Sequence, residues 1–275
     1  MDESTPVALT IAGSDSGGGA GIQADLKAFA AAGVHGTSAI TALTAQNTTG
    51  VTAIDIVSPA MIVAQVQAVA SDLPIGAVKL GMLADTATIV AVADALAALD
   101  RSIPIVHDPV MIAESGARLL QPDALAALLE RIIPRATVIT PNLSEARALV
   151  DAAAGDERSA ALSDEQLLDA LLELGPRWAM VTGGHRDEAT DLLAGPDGAR
   201  HRFVGPRHPD GAAHGSGCTH ASTLAAHLAR GVSVPEAAAK ARIAASQAVE
   251  HGLRELGGGA GPVDVLGLRF RRAER

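Results

Sequence analysis

The chain has 275 residues, near the upper end of what one hydrophobic core supports, so one large α/β domain fits better than two small ones. Lys and Arg number 21 against 31 Asp and Glu, a net charge of −10 that is poorly suited to neutralising the phosphates of a nucleic acid. Aromatic residues are only 1% of the chain, which argues against base-stacking platforms and a β-sandwich core, while 48% hydrophobic residues argue against disorder.

Strand-like and helix-like segments then alternate from end to end. Residues 7–12 (VALTIA) read as a buried strand that enters a glycine-rich turn at 13–21 and a helix at 22–32. Residues 37–45 and 51–57, joined by polar 46–50, read as a small β flap over the sheet edge. Pro59 opens a helix to about Ser71. A short strand at 77–81 is followed by Asp85, placed to cap the next helix. Residues 105–106 form a strand that ends at Asp108 and Pro109, and Pro122 opens a helix. A strand at 137–140 leads through Pro141 and Asn142 to a helix from about Ser144. Residues 151–159, acidic and rich in Gly and Ala, read as a solvated loop. Ser163 and Gln166 make a capping-box pattern before a helix at 167–174. A strand at 179–182 precedes Gly183 and Gly184. Residues 215–218 lead into a helix to Arg230, and Pro235 opens one to about His251. Residues 257–261 read as a flexible glycine turn and 269–275 as a solvated charge run. This rhythm suits βαβ units and a mostly parallel sheet covered on both faces, with no internal repeat and no domain-sized linker.

The start, with Asp2 and Glu3, lacks the basic region of a signal peptide, and no apolar run approaches the roughly 18 residues of a membrane span. Cys218 is the single cysteine, which leaves no intrachain disulfide and no cysteine-built zinc site and suits a reducing compartment, the cytoplasm.

Ligands of a parallel sheet collect outside the carboxyl ends of its strands. Polar or glycine-rich clusters fall at several such ends. Residues 13–21 (GSDSGGGAG) contain a formal G-x-G-x-x-A match ending at Ala24, but no acid closes the following strand, so a dinucleotide site is not supported. No Lys-Ser or Lys-Thr closes a phosphate loop there either. A tight turn is the plainer alternative; close backbone approach to a small substrate is the functional one. Residues 213–219 (AHGSGCT) open a helix, where unpaired N–H groups and the positive dipole end favour an anion. Cys218 falls in the first turn, where a thiol pKa tends to drop; a small core residue is its plainer role. Asp108, Asn142 and Glu145 offer oxygens suited to Mg²⁺, though Asn142 and Glu145, three apart, equally suit ordinary helix capping.

These clusters, in this order, resemble the hydroxymethylpyrimidine/phosphomethylpyrimidine kinases of thiamine biosynthesis, a branch of the ribokinase-like superfamily. The matching stretches are TIAGSDSGGGAGIQADLKAFAAAGVHGTSAITALTAQNT (10–48), KLGML (79–83), DPVM (108–111), SGARLL (115–120), TPNLSEA (140–146), GGH (183–185) and HGSGCTHAS (214–222). The resemblance runs nearly the whole chain, to about Pro262. It implies one ribokinase-like domain over residues 1–275, a three-layer α/β/α sandwich. It implies phosphorylation of 4-amino-5-hydroxymethyl-2-methylpyrimidine with ATP and Mg²⁺, then of the monophosphate to the diphosphate. Gln46 would hydrogen-bond the aminopyrimidine, with Gly13, Ala20, Asp25, Met82, Val110 and Cys218 lining its pocket. Asn142, Glu145 and Thr182 would serve ATP, and Lys240 would approach its phosphates. Asp108 and Glu145 would serve the metal. The backbone of Gly215, Ser216, Gly217 and Cys218 would form the anion hole. A cytoplasmic homodimer with no nucleic-acid or membrane partner is expected.

Three positions depart from the family's pattern. Thr182 stands where Lys is usual, so one positive charge is missing and Lys240 is expected to carry more of that role. Ser216 stands where Thr is common. His107 replaces an apolar residue and is expected to be a structural hydrogen bonder. Other ribokinase-like enzymes resemble one another in placing an Asp base where Cys218 stands. Two alternatives remain open: phosphorylation of pyridoxine or pyridoxal, alone or as a second activity, and a non-enzymatic pyrimidine sensor.

Overall fold

The computed structural model describes residues 5–183, 189–209 and 211–271. In chain order the elements are β1 (Val7–Asp15), α1 (Gly21–Ala31), β2 (His35–Asn47), β3 (Gly50–Ile56), α2 (Pro59–Ala70), β4 (Ile75–Leu80), α3 (Thr86–Ala97), β5 (Ile105–His107), α4 (Ala124–Arg131), β6 (Val138–Ile139), α5 (Leu143–Ala154), α6 (Asp164–Glu173), β7 (Trp178–Val181), β8 (Ala189–Ala194), β9 (Arg200–Gly205), α7 (Ser216–Ala229), α8 (Val234–Glu250) and α9 (Leu268–Arg271). They build a nine-stranded sheet in the order β3-β2-β1-β4-β5-β6-β7-β8-β9. The strands from β2 to β7 are parallel; β3, β8 and β9 run antiparallel to their neighbours.

The strand pleat sorts side chains into two cores. Leu9, Ile11, Val78, Leu80, Ile105, Ile139, Ala179 and Val181 face one layer, packed by α2 through α6. Ala8, Ala77, Val106, Val138 and Met180 face the other, packed by α1, α7 and α8. The continuous apolar runs of β1 and β4 follow from burial on both faces. The result is the expected three-layer α/β/α arrangement. No helix among the described residues is long and apolar enough to cross a membrane.

Helix starts follow local chemistry. Asp85 caps α3 by accepting from the Thr88 N–H at 2.8 Å. Ser163 and Gln166 complete the anticipated capping box on α6. The chain runs from β1 outward through β2 and β3 and then returns to place β4 on the opposite side of β1. A crevice therefore opens beside the carboxyl end of β1, where the strand order reverses.

Three expectations change. The flap is no separate layer: the first half of β2 pairs parallel with β1 and the second half pairs antiparallel with β3, so the hairpin continues the sheet past the crevice. Residues 151–159 are largely not a loop. α5 runs on to Ala154 and ends at left-handed Gly155, and Ser159 is buried by two 2.8 Å hydrogen bonds to the Asp151 carboxylate. The glycine turn at 257–261 is docked, with Gly259 donating its N–H to Thr48 Oγ1 at the hairpin tip. Strands β8 and β9 went unanticipated. Of the 269–275 charge run, residues 272–275 lie outside the described residues, as do Gly184 and His185.

Candidate active site

The carboxyl ends of β1, β4, β5, β6 and β7 open into one cavity of about 420 Å³. Two glycine-rich segments form its near wall. Asp15, buried at the end of β1, accepts N–H groups from Gly17, Gly19 and Ala20 at 2.8–3.0 Å, and so folds the loop around its own carboxylate. His214 reaches in from the second segment, its Nε2 3.0 Å from Asp15 Oδ2. Burial works to raise the Asp15 pKa, but His214 and the Ala20 and Gly17 N–H groups hold it below the ordinary carboxylate value. The two segments interlock. Gly215 has φ +84°, and a Cβ there would run into the Gly19 carbonyl. Gly215 is also the N-cap of α7, so no side chain caps that helix. The N-terminal end of α7 points its dipole and free-standing first turn into the cavity.

Of the residues expected in a substrate pocket, Gly13, Ala20, Gln46, Met82, Val110 and Cys218 all line this one cavity. Gln46 is half-buried and oriented by Thr44, whose Oγ1 donates to Gln46 Oε1 at 3.0 Å. Ser16 Oγ bridges the Gln46 backbone N–H and C=O at 2.8 Å each, fastening hairpin to glycine loop.

Asp25 is a correction. It is fully buried beneath the pocket and absent from its lining. It accepts from Thr10 Oγ1 and Ser222 Oγ, both at 2.6 Å, and from Lys79 Nζ at 2.8 Å. Lys79, which sequence reasoning quoted only inside a motif, is fully buried and lies 4.0 Å from Asp108 Oδ2. Burial alone would lower the Lys79 pKa; Asp25, Cys218 and Asp108 outweigh it and hold the ammonium above its usual range.

The Cys218 expectation is likewise corrected. Burial pushes its thiol up to about 12, and Asp108 and Asp25 add to the rise, against the opposing pull of Lys79 and the Gly21 N–H. The helix end does not win here, and the thiol is neutral.

Asn142 and Glu145 realise both readings at once. They form a reciprocal capping box on α5, Glu145 N–H to Asn142 Oδ1 at 3.0 Å and Asn142 N–H to Glu145 Oε2 at 2.9 Å. The box also aims the Glu145 carboxylate into the cavity, which Asn142, Thr182 and Asp108 line as well. Burial, then the nearby Asp108 charge, pushes Glu145 up to about 8 against the Asn142 and Met111 N–H groups. Burial pushes Asp108 up to about 6; Lys79 and His220 oppose and Asp25 adds. Asp108 Oδ2 has no hydrogen-bond partner among the described residues.

Lys240 is the third correction. It is exposed, outside the cavity lining, and its charge acts on His227 near the far end of α7. The cavity-facing stripe of α8 is instead Arg242, Ala245, Ser246 and Val249. His107 is buried with neither ring nitrogen hydrogen-bonded among the described residues, so it is not the expected hydrogen bonder. Burial and then Lys79 lower its pKa to about 3. Sequence reasoning also missed Asp191, His220 and Arg242 in the cavity wall. The signal for His220 was the second turn of the helix already singled out; Asp191 and Arg242 gave none without β8 and the facing of α8.

The family described as phosphomethylpyrimidine kinase matches residues 15–264. A hydroxymethylpyrimidine/phosphomethylpyrimidine kinase of Rhizobium meliloti (strain 1021) is 48% identical over 263 residues, covering 94% of this chain and 96% of that protein. A phosphomethylpyrimidine kinase structure from Clostridium difficile 630 superimposes with a TM-score of 0.72 at 38% identity, covering 86% of this chain and 96% of that one. An ADP complex of Bacillus subtilis pyridoxal kinase gives a TM-score of 0.82 at 31% identity, covering 97% and 100%.

Proposed function

The chain belongs to the phosphomethylpyrimidine kinase family, and from that premise we infer that it is an ATP-dependent kinase of thiamine biosynthesis. It phosphorylates 4-amino-5-hydroxymethyl-2-methylpyrimidine to its monophosphate and then the monophosphate to the diphosphate. The observation that carries this is the sharing of one cavity by Gln46 and the uncapped α7 start at Gly215 to Cys218.

The amide of Gln46 suits the edge of a planar aminopyrimidine, which needs a donor and an acceptor side by side. Gly13, Ala20, Met82 and Val110 suit its faces and methyl group. Asn142, Glu145 and Thr182 suit the nucleotide on the β6–β7 side. The hydroxymethyl group then lies at the α7 start, whose N–H groups stabilise negative charge on the migrating phosphoryl group. Phosphoryl transfer asks chiefly for alignment and charge neutralisation, which this rim supplies without covalent help.

The donor set fits a magnesium ion. Asp108 and Glu145 are two carboxylates that repel each other, and Asp108 has an orphaned oxygen. Magnesium keeps several waters and takes phosphate oxygens, so one or two protein carboxylates suffice. Asp108 and Glu145 would hold it, and it would neutralise and align the phosphates.

The fold likeness to pyridoxal kinase favours pyridoxal as a second acceptor in the same pocket. The unpaired cysteine supports a cytoplasmic location. Exposed Ile54 and Ile56, on one face of the edge strand β3, support a homodimer. A coupled ATPase-type assay with the hydroxymethylpyrimidine, its monophosphate and pyridoxal tests the substrate. The two pyrimidines are expected to be turned over ahead of pyridoxal; pyridoxal alone as acceptor overturns the assignment, and pyrimidine binding without ATP consumption would make the protein a sensor.

A further inference from the structure

Three ionisable side chains, buried Asp191 on β8 and His220 on α7 and half-buried Arg242 on α8, stand on the cavity wall without a part in the chemistry above. His220 Nε2 lies 3.2 Å and Arg242 Nε 3.8 Å from Asp191 Oδ2. Against burial, which would raise it, these contacts and the Gly183 N–H hold the Asp191 carboxylate below its ordinary range. His220 Nδ1 is buried with no partner among the described residues. A buried polar atom in that state is rare, and on a cavity wall it points to a polar ligand. Asp191 is meanwhile tethered by the Gly183 N–H at 2.8 Å, and Arg242 donates to the Ala189 carbonyl. Asp191 thus ties the two basic side chains to Gly183, the residue after uncharged Thr182.

Their side of the site is also defined. Cys218 and His220 are two apart on α7 and project to opposite flanks of the helix. Cys218 is set among Lys79, Asp25 and Gly21, on the pyrimidine side. His220 is set on the flank that carries Asp191 of β8 and Arg242 of α8. The Cys218 flank is therefore the acceptor side and the His220 flank the donor side.

We infer that Arg242 and His220, held in place by Asp191, form the subsite for the leaving phosphates of the nucleoside triphosphate, and that Arg242 supplies the positive charge that Thr182 does not. The inference rests on the kinase reading. In transfer, the bond between the γ-phosphorus and the bridging oxygen breaks with its electron pair passing to the nucleoside diphosphate. The bond to the acceptor oxygen forms, and the hydroxymethyl proton leaves to water in the first step. Negative charge grows on the departing diphosphate, and a guanidinium with unspent donors beside an imidazole meets it.

Calorimetric titration of the whole protein with ADP and with adenosine tests this. In Arg242→Gln, ADP affinity is expected to fall about tenfold or more while adenosine affinity holds within about twofold. His220→Asn keeps the Arg242–Asp191 pair and so protects the fold; it is expected to weaken ADP by roughly threefold with adenosine unchanged. Adding Thr182→Lys to Arg242→Gln sets an ammonium on the same wall and is expected to restore ADP binding by roughly threefold or more. Equal losses of ADP and adenosine, unchanged ADP affinity, or no recovery with Lys at position 182 each overturn the subsite. Nucleotide binding is read without an acceptor. A wild-type protein that binds ADP with these variant effects yet leaves the pyrimidine unphosphorylated upholds the subsite and overturns the substrate assignment instead.

Discussion

A neutral thiol at position 218 has a chemical rationale in a two-step kinase. In the first step the acceptor is an alcohol; in the second it is already a phosphate anion. A fixed carboxylate at that spot would repel the second acceptor by about 4 kcal/mol at 4 Å and an effective dielectric constant of 20. The thiol, pushed up to about 12, stays uncharged through both steps. Cys218→Asp is therefore expected to retain most of the first step and to lose roughly two to three orders of magnitude in the second, read by separate assays on the alcohol and the monophosphate. An undiminished second step would remove the repulsion argument. His107 carries a different consequence, for stability. Its folded pKa is lowered from 6.5 to about 3 by burial and by Lys79. Between those values the unfolded chain binds more protons, so stability falls as pH falls through that window. The slope approaches about 1.4 kcal/mol per pH unit. Between pH 7 and pH 5 the His107 share is a loss of roughly 2 kcal/mol, opposed by Glu145 and Asp108, whose raised pKa values favour the folded state as pH falls. Urea melts at the two pH values are therefore expected to show a change on acidification that is roughly 2 kcal/mol more unfavourable in the wild type than in His107→Leu. The same change in both proteins would assign the acid sensitivity elsewhere.

At the scale of elements, legibility followed the range of the forces involved. Caps are local, so Asp85, Ser163 and the Asn142–Glu145 box could be read from spacing, and each is formed. Doubly buried strands such as β1 announce themselves by unbroken apolar runs. Strands β8 and β9 did not, because β9 alternates exposed and half-buried residues with Arg and His among them, and β8 is interrupted by Thr190 and Asp191. The end of α5 was misplaced because an acidic Ala-rich stretch suits both a solvated loop and a helix; Gly155, with its left-handed φ of 74°, was the true stop. Side-chain facing on a helix was the weakest inference. Lys240 and Arg242 are two apart on α8, so a choice between them is a choice of opposite faces, and only the packing of α8 on α7 decides it. The two glycine segments were recognised singly. That Asp15 and His214 bind them together across 199 residues of sequence was not readable, since neither residue signals a partner so distant.

For the whole molecule, the deepest tie between layers is ionic rather than apolar. Asp25 of α1 gathers Thr10 of β1, Lys79 of β4 and Ser222 of α7 into one fully buried knot beneath the site. The sequence presented Asp25 as a pocket residue because its motif neighbours are pocket residues. The fold turns it inward, since α1 lies flat on the sheet and position 25 points down. A buried ion pair gains little over an apolar replacement, yet removing one partner strands a charge where water cannot follow. Lys79→Met is therefore expected to cost about 3–5 kcal/mol in unfolding free energy. Lys79→Met combined with Asp25→Asn removes both charges, while the amide oxygen still accepts from one of the Thr10 and Ser222 hydroxyls and its NH2 donates to the other, and it is expected to recover most of that loss. The same pair of variants separates stability from electrostatics at the site. Lys79 is the cation set between Asp108 and Asp25 and beside Cys218. If its field matters to transfer, the refolded double variant remains slow, by about tenfold or more in kcat with little change in the KM for the pyrimidine. Chemical denaturation and steady-state kinetics on the three proteins decide both points: a double variant as unstable as Lys79→Met would deny the ionic knot its structural role, and one with full kcat would confine Lys79 to it.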